Sequence, residues 1–372
     1  MQGDRVAIVA AARTPFVKAG KAFAHLGPLA LAKTAVLGLL RRHDVDPGGI
    51  DTLAMGAVVP EKGKPNLGRE IVLETDLPAR IEAQTVSSYC ISGLRAITIV
   101  ADAIAQGRAE CGLAAGVEWL SGADPSTFKE PTTGLTMGQH GELIAKEWKV
   151  PRDRQDEIAL ASHRGAVAAR EKLAQEIVPL EGVVHDTGPR PGTSLEALGG
   201  LQPAFDHEGT ITAGNASPVT DGGSAVLLMS ERRAAAERRE PLAYVRAIHY
   251  TAIDPAEGLL MAPATAVPEI LARTGLSLAD FDLIEIHEAF AAQVQANVWA
   301  WERGWKAPPT GEVDWGAVNV NGSSIAVGHP WAATGGRIAS TLAYEMARRD
   351  AHLGLISICA AGAMAGAVVL ER

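Results

Sequence analysis

The feature that most constrains the fold is a recurring offset. Gly93, Arg95, Gly112 and Leu113 each meet the same residue type 242 positions later, at Gly335, Arg337, Gly354 and Leu355. The stretch between is helical in character both times: from Ser92 onward Leu94, Ile97, Ile99, Val100, Ala103 and Ile104 recur at helix-like spacing. Earlier, Gly49-Ile50-Asp51-Thr52-Leu53 and Asp280-Phe281-Asp282-Leu283-Ile284 each follow a helix and an acidic turn. Four identities are compatible with chance in an Ala/Gly-rich chain; their agreement with the order of elements supports a duplication. Strands and helices alternating in two similar halves imply an α/β fold with layered, mostly buried sheets. The halves divide as 1–235 and 236–372, the first interrupted by an insertion over about 121–204. In such folds sites form at strand ends and helix N-termini near the interface of halves.

In chain order, Val6–Ala12 is an apolar run expected of a strand buried on both faces. Leu29–Arg42 reads as an amphipathic helix, Ile50–Val59 as a strand, Ile71–Asp76 as a short helix and Cys111–Val117 as a strand. The insertion, with a charged helix over Arg152–Gln175, should fold over the strands. Thr210–Ser230 reads as strand, turn, then a helix or buried apolar segment. Leu242–His249 and Asp282–Ile286 are strands, with a helix over Ala266–Arg273 between them.

Hydrophobic residues make up 47% of the chain and aromatics only 5%, so the interior must be mostly Ala, Val, Leu and Ile. A net charge of −9 argues against general nucleic-acid binding, which rests on neutralising phosphates, but not against a small anion on a local basic patch. The three cysteines, Cys90, Cys111 and Cys359, make neither a disulfide framework nor a metal-binding pattern. A reducing compartment is the simpler inference. No apolar run is long enough to span a membrane, and the opening run is too short for a signal peptide.

Cys90 falls at a helix start, where orphan N–H groups and the helix dipole favour thiolate over thiol. Alone, it is also compatible with a small buried hydrophobe. The second half supplies partners. His287 follows a buried strand in IHEAF; His329 stands between Gly328 and Pro330, before the helix that matches the Cys90 helix; Cys359 ends a strand in a run of small residues, CAAG. Small residues let backbone N–H groups approach a substrate carbonyl. Each has a plainer alternative: strand-end cap for His287, turn residue for His329, core for Cys359. His163, in a charged helix, reads as a solvated face, and Glu288 as a brace for a histidine rather than a base.

Together these motifs resemble the thiolase family, over nearly the whole chain: VAIVAAARTPF, the Cys90 segment, MGQHGELIAKEW, LQPAFDHEGTITAGNASPVTDGGSAVLLM, HEAFA, GHPWAATGGR and CAAGAMAGA. HEAFA, with His287 where many thiolases have asparagine, resembles the branch holding 3-ketoacyl-CoA thiolases of fatty-acid β-oxidation. The resemblance implies a layered α-β-α-β-α fold and an acyltransferase with no permanently bound cofactor or metal, using coenzyme A as co-substrate. It implies Cys90 as nucleophile, His329 as its base, Cys359 as the acid that protonates the departing acetyl-CoA enolate, and two oxyanion sites. One would use His329 with His287, the other the N–H groups of Cys90 and Ala361. Met137 and Ser217 should line the pantetheine channel, with Arg152, Arg154 and Arg164 as phosphate partners. It also implies a cytoplasmic location and a homodimer or homotetramer, with a hydratase–dehydrogenase multienzyme as a partner. The rivals are a ketoacyl synthase-like condensing enzyme, disfavoured by the second cysteine, and a catalytically silent acyl-CoA-binding relative. Departures from the family pattern are Ala363 and Ala365, where glycines are common, Ser323 for glycine, and Gln202 for Arg or Lys.

Overall fold

In the computed structural model, which describes residues 4–372, the opening apolar run forms β1 (Val6–Arg13), buried along its whole length. The first three residues, counted above in the N-terminal half, lie outside the described ones. The other strands are β2 (Val17–Lys18), β3 (Thr52–Gly56), β4 (Glu82–Val86), β5 (Cys111–Glu118), β6 (Thr220–Ser230), β7 (Ala243–Ala252), β8 (Leu283–Ile286), β9 (Leu353–Ala360) and β10 (Met364–Glu371). Their order is β4-β3-β5-β6-β1-β7-β10-β9-β8, with β2 paired to β6.

That order contains the duplication. β3 and β5 are parallel, as are β8 and β9. β5 and β6 are antiparallel, as are β9 and β10. β6 runs antiparallel to β1 as β10 does to β7. The two halves meet where β1 pairs with β7.

Side-chain alternation sorts the strands into layers. In β10, Ala365, Ala367 and Val369 face the helices Pro263–Thr274 and Ala291–Arg303, while Val368 and Leu370 face the helices Ser92–Ala105 and Ala333–Arg349. The opposite outer layer is the helix Pro28–Arg42, packed through Leu31, Ala35 and Leu39 on Ala7, Leu113 and Leu227. A bulge between Ile8 and Ala10 shifts the alternation in β1. Val6 and Ile8 face the central layer, and so does Ala11 rather than Ala10. The result is the expected α-β-α-β-α layering. Each fully buried Leu or Ile in it contributes about 1.5–3 kcal/mol.

The two central helices touch backbone to backbone. A Cβ on Gly93 would lie 2.3 Å from the Ala332 carbonyl oxygen, and one on Gly335 2.4 Å from the Leu94 nitrogen. Only glycine permits that approach, which brings the starts of the two helices together.

One open alternative is decided and two expectations are corrected. Thr210–Ser230 holds one long buried strand, β6, and no helix; eleven consecutive buried residues between neighbours on both sides suit a central strand. The charged helix breaks at Ala169 into Arg152–Ala168 and Arg170–Ala174. His163 is buried, not solvated, because the helix that carries it packs against Ser324–Val327 and Ala291–Arg303.

Candidate active site

The chain turns sharply to present Cys90. After β4, Tyr89 takes a left-handed conformation at φ 51°, and Tyr89–Ile91 make a single tight turn before the helix Ser92–Ala105. Left-handed backbone in a bulky residue is strained, and such strain clusters at functional positions. Ser92 holds the turn: its hydroxyl accepts from the Ser88 N–H at 2.7 Å and donates to the Tyr89 carbonyl at 2.6 Å. Cys90 is half-buried as a residue, but its thiol points inward, 3.2 Å from His329 Nε2. Its own N–H and that of Ala361 face the sulfur.

The electrostatics differ from the expected thiolate. Burial pushes the Cys90 thiol up to about 12, outweighing the two N–H groups. Burial, then the nearby Arg337 cation, push His329 down to about 3. The resting pair is therefore neutral thiol and neutral imidazole. Desolvation wins because the sulfur itself is buried, and one short turn ahead of the helix offers only weak compensation.

His329 is fixed from both sides. Gly328, at φ 118°, and Pro330 set its backbone, its N–H donates to the Pro218 carbonyl at 3.3 Å, and Nδ1 lies 2.7 Å from Thr334 Oγ1. His287 continues β8: its N–H donates to the Ser357 carbonyl of β9 at 2.8 Å. Its ring centre is 4.2 Å from that of His329, and Nδ1 lies 2.8 Å from Ser324 Oγ. Nε2 of His287 is buried with no hydrogen-bond partner among the described residues. Burial first, then His329 and Arg337, hold His287 well below its ordinary value. Ligand atoms of Cys90, His287 and His329 lie within 4.8 Å of one another, a spacing that would admit a soft divalent ion.

Parallel pairing of β8 and β9 brings His287 and Cys359 to the same end of the sheet. Cys359 is buried, and burial, then the proximity of Cys90, raise its thiol well above the ordinary value. Residues 361–363 close the hairpin to β10, since Ala360 pairs with Met364. Ala363 is left-handed at φ 54° and fully buried, whereas Ala365 is an extended strand residue opposite Cys359. Of the two alanines that stand where the family commonly has glycine, only Ala363 is in a strained conformation.

The comparisons with known proteins agree with this geometry. Profiles described as "Thiolase, N-terminal domain" match residues 6–127 and 123–232, and "Thiolase, C-terminal domain" matches 239–372. The chain belongs to the thiolase family. It is 38% identical to a 3-ketoacyl-CoA thiolase of Pseudoalteromonas translucida, covering 100% of this chain and 97% of the relative. It is 37% identical to one of Colwellia psychrerythraea, covering 99% and 97%. Among solved structures it resembles Bacillus anthracis acetyl-CoA acetyltransferase (TM-score 0.91, 31% identity, covering 100% of this chain and 99% of that one). It also resembles human mitochondrial 3-ketoacyl-CoA thiolase (TM-score 0.90, 31% identity, 99% of each chain). These matches support an acyltransferase.

Other expected thiolase residues gather unevenly. Met137 packs in the cluster that contains Phe290 and Cys359. Ser217 lies between the two histidine segments: its N–H donates to the Ala289 carbonyl at 3.0 Å, and the adjacent Pro218 carbonyl accepts from His329. Of the three arginines expected at the phosphates, two are engaged. Arg152 is tied to Asp156 at 2.8 Å and to the Leu198 carbonyl at 2.6 Å. Arg154 bonds Gln295 at 2.6 Å and lies over the Trp315 ring. Arg164 is exposed, with no ion pair among the described residues, and Gln202 is exposed as well. Glu288 does not brace a histidine. It accepts from Ser162, Asn319 and the Ile325 N–H, and so holds the loop before His329.

Sequence reasoning missed four contributors. Thr334 backs His329 and Ser324 backs His287. Arg337 is buried beside Glu285 at 3.6 Å and reaches Ser324. Glu118, pushed by burial up to about 8, accepts from the Val58 and Val59 N–H groups at 3.1 and 2.9 Å. Only Arg337 carried a signal, as a member of the repeat.

Proposed function

We propose that the chain catalyses CoA-dependent cleavage of a 3-ketoacyl-CoA to acetyl-CoA and a shortened acyl-CoA, or the reverse condensation, through an acyl-Cys90 intermediate. The observation that carries the reading is the 3.2 Å contact of Cys90 Sγ with His329 Nε2, beside a second buried thiol, Cys359. Because the resting pair is neutral, the proton moves as the sulfur attacks: Cys90 bonds to the ketone carbon while His329 takes the thiol proton. The bond to the neighbouring carbon breaks, and that carbon leaves as the acetyl-CoA enolate and takes the proton of Cys359. The thiol of free CoA then gives its proton back to Cys359 and attacks the acyl group, and Cys90 recovers its proton from His329. Oxyanions would be met by His329 with His287 in one step, and by the Cys90 and Ala361 N–H groups in the other. A well-placed donor of this kind is worth roughly 10²–10³ in rate.

Cys359 favours this over a ketoacyl synthase-like enzyme, and the intact Cys90–His329 pair favours it over a silent acyl-CoA-binding relative. We further assign the chain to fatty-acid β-oxidation in the cytoplasm as a homodimer or homotetramer, with a hydratase–dehydrogenase multienzyme as a partner. It would take CoA as a co-substrate and hold no permanent cofactor, with a division into halves at 235/236. Met137 and Ser217 would line the pantetheine channel, and exposed Arg164 would be the phosphate partner.

The test is a CoA-dependent cleavage assay on acetoacetyl-CoA and a long 3-ketoacyl-CoA, with intact-mass detection of the acylated protein. Turnover with an adduct on Cys90 is expected, and the ratio of rates gives the chain length. Folded protein that gives neither turnover nor adduct would move the silent relative to first place.

A further inference from the structure

The two site histidines are backed by different kinds of neighbour. For His329 to receive a proton at Nε2, its proton must sit on Nδ1, donated to Thr334 Oγ1 at 2.7 Å. His287 faces a hydroxyl that is already committed. Arg337 Nη2 donates to Ser324 Oγ at 2.8 Å, and a guanidinium has no acceptor. The same Ser324 Oγ lies 2.8 Å from His287 Nδ1. No other side-chain partner of Ser324 occurs among the described residues, and all three groups are buried. If His287 also donated from Nδ1, the Ser324 hydroxyl proton would have no acceptor among the described residues, an arrangement that buried polar groups avoid. If Ser324 instead donates to Nδ1, both the Ser324 hydroxyl proton and His287 Nδ1 are satisfied. The Arg337 cation behind Ser324 acts in the same sense, because it opposes positive hydrogen on the near side of the ring.

Arg337 is itself held. Its Nη1 and Nη2 donate to Ser323 Oγ at 3.2 and 3.3 Å, and Glu285 lies 3.6 Å away. Ser323 in turn donates to the Ile286 carbonyl, one residue before His287, at 3.2 Å. The hydroxyl that departs from the family's glycine therefore ties the arginine to the strand that carries the histidine.

We infer that Ser324, held by Arg337, is a positioning residue that locks His287 as the Nε2–H tautomer, so that His287 presents a hydrogen-bond donor to the substrate oxygen and cannot compete with His329 as a base. The orphaned His287 Nε2 is then that donor, and the two rings, 4.2 Å apart, carry opposite tautomers. The inference rests on the proposed thiolase reading for the identity of the oxygen, but not for the tautomer itself.

The test reads the tautomer directly. In ¹⁵N-histidine-labelled full-length protein, two-bond ¹H–¹⁵N spectra, assigned with a His287→Gln variant, should show His287 protonated at Nε2 and bare at Nδ1. Ser324→Ala should populate the Nδ1–H form and lower kcat about ten- to hundredfold with little change in KM, as loss of a supporting hydrogen bond does. Ser324→Thr, which keeps the hydroxyl, should restore both. A wild-type His287 protonated at Nδ1 would overturn the inference, as would a Ser324→Ala protein with unchanged tautomer and kcat. The arms separate the two claims. An Nε2–H signal in protein that never acylates Cys90 keeps the relay and removes the thiolase reading; acylation with an Nδ1–H signal does the reverse.

Discussion

Set one half of the molecule on the other and the scaffold matches while the chemistry does not. Both halves run strand, helix, strand, strand with the same parallel and antiparallel pairings. The central helices meet through the paired glycines Gly93 and Gly335. Yet the position that is Cys90 in the first half is Ala332 in the second, and Cys359 in the second half answers to Val117 in the first. Both counterparts are buried apolar residues. β9 is followed by a tight hairpin that holds Ala361 over the nucleophile, whereas β5 opens into the long insertion. A near-symmetric pair of helix starts thus places groups from two halves within reach, and asymmetric substitution gives each a separate task.

The comparison breaks most severely if the nucleophile is removed. Cys90→Ser should lower turnover by roughly 10⁴-fold or more and abolish the acyl adduct seen by intact mass; full turnover would take Cys90 out of the mechanism. Cys359→Ala gives the second half a small apolar residue like the Val117 of the first. It should slow exchange of acetyl-CoA α-protons with solvent by about 10²–10⁴, the range of a lost general acid–base group. Acylation of Cys90 should survive; unchanged exchange would place the proton transfer elsewhere.

The neutral resting pair makes a pH prediction. With Cys90 raised to about 12, thiolate is the minor form and grows with pH. Alkylation of Cys90 by iodoacetamide should therefore rise about tenfold per pH unit between about pH 6 and 9. A plateau across that window would mean a thiolate–imidazolium pair instead.

Smaller effects probe the scaffold. Gly335→Ala drives a methyl into the Leu94 backbone and should cost about 1–3 kcal/mol of stability in chemical denaturation. Gly192→Ala, where no atom lies within 4 Å, should not show this cost. An equal loss in both would deny the helix contact its special role. Last, Ala363→Gly relieves a left-handed residue but loses a buried methyl, so it should shift stability by less than about 1 kcal/mol. Ala365→Gly relieves nothing and should cost about 1 kcal/mol or more.

Much of this was legible in the sequence. Apolar periodicity located most strands and the central helices, and the repeat in Gly93, Arg95, Gly112 and Leu113 anticipated the matched topology. Cys90, His287, His329 and Cys359 could be picked out because rare chemistry-bearing residues stood beside glycine, proline and small-residue runs, which are local signals. The buried strand β6 and the burial of His163 were not legible. An apolar run of that length fits helix or strand equally until its neighbours are known, and a charged helix shows its buried face only once another helix covers it.

The order of elements, the duplication and the residues able to do chemistry were determined by the sequence, since each is written in local pattern. The protonation of those residues was decided by the tertiary structure alone. Burial turned the expected Cys90 thiolate into a neutral thiol. Arg337, far from His287 in sequence, commits the Ser324 hydroxyl that faces its ring. Desolvation and hydrogen-bond direction depend on what surrounds a group in space, and no window of sequence contains that.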